Sequence, residues 1–288
     1  EGNLLKAAKY YQYFIDQWFN DQRILTNYGV LCKKQGEIEK AIKLYRKSIK
    51  LFPNHPIAYN NLGIILRELG DLKKSESLTR EALKIEPNLH IGYLSLGLIL
   101  RDLGELKEAE FSTEKAIKIK PNCAVSHMNL GLILRDLGKS KEAEISTKKA
   151  IKLNPNYAEA YFSLGNIFRE SGKIKEAEKS TRKAISIYPN FPEAHLNLGI
   201  ILRSLDKLKE AELSTRKALD MKPSYNEAKL NLGLILLDLG KSNEAEVLTH
   251  EAIKNNKNNE KFYLNYSLIL LDLGRLKEAE SSTLNAIK

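Results

Sequence analysis

The sequence predicts an all-α solenoid in which one helix-turn-helix unit is stacked about eight times. Three observations predict it. Glycine recurs every 34 residues, at Gly29, Gly63, Gly97, Gly131, Gly165, Gly199 and Gly233, and only Ser267 breaks the series. A second series runs seven residues behind, at Gly2, Gly36, Gly70, Gly104, Gly138, Gly172, Gly240 and Gly274, with Asp206 as its one exception. Apolar residues follow helical spacing on both sides of the second glycine, and no stretch carries a strand pattern. A period held to the residue over a whole chain means that each unit packs on its neighbours and that function lies on a surface shared by all copies.

With the first glycine placed at position 8, repeats begin at Gln22, Pro56, His90, Ala124, Ala158, Pro192, Asn226 and Glu260. Residues 1–21 are then the second half of a preceding repeat, 22–259 hold seven complete repeats, and 260–288 an eighth, truncated one. In Pro56–Asn88 the first helix is carried by Tyr59, Leu62, Gly63 and Leu66, and the second by Leu72, Leu78, Ala82, Leu83 and Ile85. Gly70 falls between them, where a helix ends and the backbone needs positive φ, which glycine adopts without steric cost. The pair Pro87–Asn88 closes the second helix.

Small residues mark where helix axes approach. Position 20 is Ala in Ala41, Ala109, Ala143, Ala177, Ala211, Ala245 and Ala279, with Ser75 the variant. Position 27 is Ala from Ala82 to Ala286, but Phe14 and Ser48 in the first two copies. Larger residues at positions 7 and 11 fill the space between.

A large residue at 4, Leu at 7, Gly at 8, Ala at 20 and 27 and Pro at 32 resembles the tetratricopeptide repeat over the whole chain. Position 4 holds Leu25, Tyr59, Tyr93, His127, Tyr161, His195, Lys229 and Tyr263, and position 32 holds Pro53, Pro87, Pro121, Pro155, Pro189 and Pro223. One departure is systematic: position 24, large in the family, is Thr in seven copies from Thr79 to Thr283, and only Tyr11 and Tyr45 keep an aromatic. The cadence is similar to tetratricopeptide arrays of marine cyanobacteria, which are often joined to a separate catalytic domain. The resemblance implies a right-handed α-solenoid superhelix, with the first helices lining its concave face.

That resemblance directs attention to positions 2, 5, 6, 9, 12 and 13, which meet ligands in the family. Position 6 is Asn27, Asn61, Asn129, Asn197, Asn231 and Asn265, with Ser95 and Ser163 between. A carboxamide donates and accepts, so a row of them can hold a peptide backbone without reading its side chains. The row is similar to the asparagine ladder of the O-linked N-acetylglucosamine transferases. The same asparagines can instead bond across repeats and fix stacking.

Positions 5 and 9 are apolar in thirteen of sixteen places, among them Met128, Phe162, Leu196 and Leu230 at position 5. In an open groove they would favour an amphipathic helix or an apolar segment. In a tighter superhelix they would be buried between adjacent first helices. Position 12 is Arg67, Arg101, Arg135, Arg169 and Arg203, and position 13 is mostly acidic. Neighbours at i,i+1 do not face each other, so each arginine either meets an acid of the next repeat or clamps a ligand carboxylate. The family's chaperone clamp pairs Lys and Asn at positions 5 and 9, which are largely apolar here, so no such clamp is expected. Position 2 turns from Ile57, Ile91 and Val125 to Glu159, Glu193 and Glu227, a polarity that could orient a bound chain.

The net charge of +10 invites a nucleic-acid partner. The lysines sit, however, at position 18 beside glutamates at 21, an i,i+3 pattern that reads as a solvated outer face, and aromatics do not interleave with them. Gly138–Lys139–Ser140 and Gly240–Lys241–Ser242 look like the tail of a phosphate loop, but the upstream glycines are misplaced and no strand precedes them. Cys123 and His127 are four apart, yet His127 and His195 hold the packed slot at position 4, so no metal or other cofactor is expected. No set of nucleophile, base and orienting group stands out, and the chain is read as non-catalytic.

The expected partner is therefore a protein or peptide, with nucleic acid through the outer lysines as the alternative. Shielding of apolar partner segments, as an assembly factor does, is a further alternative. Two cysteines without a pairing framework suit a reducing, cytoplasmic setting. No apolar run reaches membrane-spanning length. The chain begins inside a repeat at Glu1, as a piece of a longer protein would, and apolar faces at its ends predict a homodimer through stacked repeats. The loop Asn255–Asn259 lacks the usual proline and is expected to be the loosest junction.

Overall fold

The computed structural model describes residues 2–17, 21–255 and 259–287, and every element among them is an α-helix. The chain divides into two compact units, Glu1–Leu153 and Asn154–Lys288.

In the first unit, α1 (Gly2–Asp16) precedes four helical pairs: α2 (Gln22–Lys34) with α3 (Ile38–Leu51), α4 (Pro56–Glu68) with α5 (Leu72–Ile85), α6 (His90–Asp102) with α7 (Leu106–Ile119), and α8 (Ala124–Asp136) with α9 (Ser140–Leu153). In the second unit the pairs are α10 (Ala158–Glu170) with α11 (Ile174–Ile187), α12 (Pro192–Ser204) with α13 (Leu208–Met221), α14 (Asn226–Asp238) with α15 (Ser242–Asn255), and α16 (Glu260–Asp272) with α17 (Leu276–Ile287). Within each unit a first helix packs on its own second helix, on the second helix before it and on the next first helix. The pairs form a helical-repeat solenoid.

The ends of the helices follow from local chemistry. The Asp21 carboxylate accepts from the amides of Arg23 and Ile24, capping α2. Pro56 and Pro192 occupy the first turn of α4 and α12, where no amide is needed. The seven turn glycines have φ between 70° and 83°, and Asp206 is held at 57° in the same place. Residues 256–258 of the proline-less loop lie outside the described residues.

The core runs along the seams between helices. The alanines at position 20 from Ala41 to Ala245, and those at 27 from Ala82 to Ala252, are fully buried. Position 10, which the sequence pattern did not single out, is as deeply buried: Ile65, Ile99, Ile133, Ile201, Ile235 and Ile269 expose nothing. Positions 9 and 10 are both apolar, so composition does not say which of the two faces inward. Glycine at position 8 leaves room for position 24, and only in the last repeat does a side chain, Ser267, stand there. A Cβ on Gly199 would collide with Thr215 Oγ1, and Gly131 stands in the same relation to Thr147. The Thr215 hydroxyl is fixed there by donating to the Ala211 carbonyl at 2.9 Å.

Candidate functional site on the first helices

In the first unit, α2, α4, α6 and α8 follow one another and place their positions 2, 5 and 9 on one face. Ile91 and Val125 are exposed, and Ile57, Leu94, Leu98, Met128 and Leu132 are half-buried. The apolar rows are thus neither an open groove nor a closed core. These side chains are partly covered by the packed helices and partly open. In the second unit, α10, α12, α14 and α16 repeat the arrangement, but Glu159, Glu193 and Glu227 replace the apolar residues at position 2. Phe162 is half-buried against Phe191, ring centroids 5.0 Å apart, and Leu196 is buried. Leu264, Leu268 and Leu271 form an exposed stripe along α16.

The asparagines at position 6 lie deeper. Asn129, Asn197 and Asn231 are buried, Asn61 and Asn265 half-buried, and only Asn27 is exposed. Asn197 Nδ2 donates to Thr181 Oγ1 at 3.3 Å, and Asn231 Nδ2 to Thr215 Oγ1 at 3.2 Å. Each bond crosses from one repeat to position 24 of the repeat before. Asn61 bonds the Tyr45 hydroxyl in the same way, while burial pushes that phenol up to about 12. At Thr181 and Thr215 the threonine that departs from the family pattern is therefore the acceptor for the asparagine of the next repeat, whereas Thr249 Oγ1 has no partner among the described residues. These amides serve the seam between repeats, and a ligand backbone would have to displace them.

Position 12 forms a ladder with position 13 of the next repeat. Lys33 reaches Glu68 at 2.7 Å, Arg67 Nε donates to Asp102 at 2.6 Å, and Arg101 and Arg203 pair with Asp136 and Asp238. Arg135 also donates to Asp136, at 2.9 Å. Arg169 differs. The next repeat offers it Ser204 instead of an acid, its only ion contact is Glu170 at 3.8 Å, and its Nε has no acceptor among the described residues. Ser204 at position 13 was legible in the sequence as the gap in an acidic row.

On the second helices, one expectation needs correcting. Among the described residues, Lys73–Glu76 at 3.7 Å pairs positions 18 and 21, but the other position-21 glutamates shown in ion pairs meet bases from elsewhere. They lie half-buried at the seam, where bases of other positions reach them while Lys107 and Lys141 point to solvent. Lys139, Lys207 and Lys241 of the following repeat meet Glu110, Glu178 and Glu212, and Arg182 and Arg216 join the last two from one turn further along. Burial alone would push the Glu178 and Glu212 carboxyls up, but these partners outweigh it and hold both below the usual value. The outer face is not uniformly charged either. Phe111, Ile145, Leu213 and Val247 stand exposed at position 22. Beside Phe111 lies a cleft of about 300 Å³ between α5 and α7, and beside Leu213 one of about 280 Å³ between α11 and α13.

Cys123 precedes α8, and His127 bonds the Pro121 carbonyl at 2.9 Å. His195 likewise meets the Pro189 carbonyl at 3.0 Å, and burial lowers its pKa. No group of three or more metal-ligating side chains gathers among the described residues. No helix among them is long and apolar enough to cross a membrane.

Models of the tetratricopeptide repeat match residues 21–88, 92–123, 158–191, 181–212 and 230–288, and a TPR-repeat model matches 131–168. No curated protein matches the chain. Among solved structures, it is similar to the APC/C hetero-tetramer Cut9–Hcn1, with a TM-score of 0.73 and 15% identity over 86% of this chain and 49% of that one. The chain thus spans about half the length of the chain it matches there. It is also similar to PilF of Pseudomonas aeruginosa, with a TM-score of 0.63 and 18% identity over 72% and 94% of the two chains. YrrB, described as a TPR protein with an unusual peptide-binding site, aligns at a TM-score of 0.47 with 24% identity over 64% and 95%. At these identities the first two likenesses are likenesses of fold.

Proposed function

The chain belongs to the tetratricopeptide-repeat family, whose arrays are protein-interaction scaffolds, and we propose that its first helices bind an extended or amphipathic segment of a partner polypeptide. The observation that carries this reading is the half-covered apolar surface along α4, α6 and α8, with Ile91 and Val125 exposed at its edge. A contiguous apolar surface in water favours a partner that covers it. Side chains already partly covered by packed helices lose little further freedom when the open part is covered. The rows at positions 6 and 12 back this surface: the asparagines hold its seams, and the arginines line its far edge.

In the second unit, position 2 is acidic. Within that unit, a basic stretch of a partner would lie toward Glu159, Glu193 and Glu227. Such a face suits a free-standing scaffold and the recruiting arm of a larger enzyme alike. It would also serve an assembly factor that shields apolar partner segments.

The test is a peptide selected on the immobilised chain from a phage-displayed random library, then synthesised and titrated by calorimetry. Ile91→Glu combined with Val125→Glu changes two exposed side chains, so the fold persists. Its affinity is expected to fall at least about tenfold, or 1.4 kcal/mol. Unchanged affinity would remove the first-helix face as the site. Phe111→Ser on the second helices is expected to leave binding intact.

A further inference from the structure

Four bases at position 12 meet an acid of the next repeat, in Lys33–Glu68, Arg67–Asp102, Arg101–Asp136 and Arg203–Asp238. Arg169 does not, because Ser204 stands where the acid would be. The Ser204 hydroxyl turns back to its own helix and donates to the Ile200 carbonyl at 3.1 Å. Arg169 Nε, the atom that donates to Asp102 and Asp238 in the equivalent pairs, is buried without an acceptor. The side chain as a whole remains about one-third exposed. A buried guanidinium N–H without a partner is costly, and the structure elsewhere avoids that cost at this position.

One more departure, and an aromatic ring, fall on the same helix face. Asn166, three residues before Arg169, occupies position 9, which is apolar in every other copy. Phe162 lies one turn further back, half-buried against Phe191. Spacing of three and four residues puts Phe162, Asn166 and Arg169 in one line along α10. An aromatic surface, a carboxamide and a guanidinium whose ion contact is the distant Glu170 carboxylate, at 3.8 Å, thus follow one another on the first-helix face of the second unit.

We propose that Arg169, with Asn166 beside it, is a carboxylate-binding point for the bound polypeptide, the exposed part of its guanidinium taking the carboxylate that no acid of the next repeat supplies. The inference rests on the first-helix reading and adds a ligand chemistry to it. Carboxylate is the anion because the same helix position already binds carboxylates, with Arg67 Nε donating at 2.6 Å. The C-terminal end of α10 carries about half a negative charge from the helix dipole, which the full charge of the guanidinium exceeds. The acids at position 2 stand at the opposite ends of α10, α12 and α14, so they direct a ligand carboxylate toward the arginine end.

The test needs no knowledge of the partner. The Nε–H resonance of Arg169, identified by its loss in Arg169→Lys, is followed by NMR while N-acetylglutamate is added to the full chain. A saturable shift is expected in the unaltered chain. Ser204→Asp restores the missing acid, and the shift is expected to vanish although the chain stays folded. A resonance that does not move, or moves equally in Ser204→Asp, overturns the proposal. A shift with inorganic phosphate but none with N-acetylglutamate overturns the choice of anion.

The peptide selected above then locates the carboxylate. Amidation of its C-terminus, or Gln for Glu within it, is expected to weaken binding about tenfold, and the arm that does so names the source. Loss of peptide binding in the Ile91→Glu, Val125→Glu variant with the Arg169 shift retained separates the two readings. If no peptide can be selected while the Arg169 shift saturates, the first-helix reading fails and the carboxylate point stands.

Discussion

At the scale of single residues, three positions explain why this array departs from its family pattern. Glycine at 8, threonine at 24 and asparagine at 6 of the next repeat form one contact. Thr215 crowds Gly199, donates to Ala211 and accepts from Asn231. Gly199→Ala should therefore cost about 1–3 kcal/mol despite the better helix propensity of alanine. Thr215→Ala should cost about 1–3 kcal/mol by leaving the Asn231 amide unbonded. The double variant should be more stable than the sum of the two costs allows, because the severest clash of the added methyl, with Thr215 Oγ1, is then gone. Additive costs in a urea-unfolding cycle would contradict this contact. The glycine period and the unusual threonines were both legible in the sequence. Their link was not, because it joins residues 16 apart across a repeat boundary, and either a peptide ligand or a stacking bond satisfies an asparagine equally well on paper.

At the scale of helices, first-helix starts fall where the repeat pattern puts them, at Gln22 through Glu260, because a turn glycine and a fixed period leave no freedom of register. Side-chain pairing was harder to read. A glutamate at position 21 has bases within helical reach on its own helix, and only packing adds the ammonium of Lys207 or Lys241 from the next repeat.

The one turn without glycine offers a direct test of the cap. Asp206 sits at φ 57°, so Asp206→Gly should raise stability by about 0.5–1 kcal/mol in thermal unfolding. No gain would mean that the aspartate carries a compensating contact.

The seams also set the response to acid. Folded Glu178 and Glu212 titrate below their ordinary 4.5, so the unfolded chain takes up protons first as pH falls. Their contribution is complete above 4.5 and is lost as pH falls through the lower folded value. His195 acts earlier with the same sign: burial lowers its pKa from 6.5, so its contribution fades as pH drops below 6.5. The melting temperature should be steady near neutrality, decline gently below pH 6.5 and fall steeply below 4.5. Glu178→Gln should flatten the lower limb. A melting temperature that rises on acidification would contradict the pairing.

At the scale of the molecule, the two units carry different versions of one face. Apolar residues at position 2 belong to Glu1–Leu153, and acidic ones to Asn154–Lys288. The change was visible in the sequence, whereas the degree of cover over positions 5 and 9 depends on how closely first helices approach, which no local pattern encodes. The central claim is that this face, and not the second helices, receives a polypeptide. Hydrogen–deuterium exchange of the full chain, with and without the selected peptide, tests it most directly. The account predicts slowed exchange in α4, α6 and α8, with α5, α7 and α9 unchanged. Protection confined to the second helices, beside Phe111 and Ile145, would contradict it.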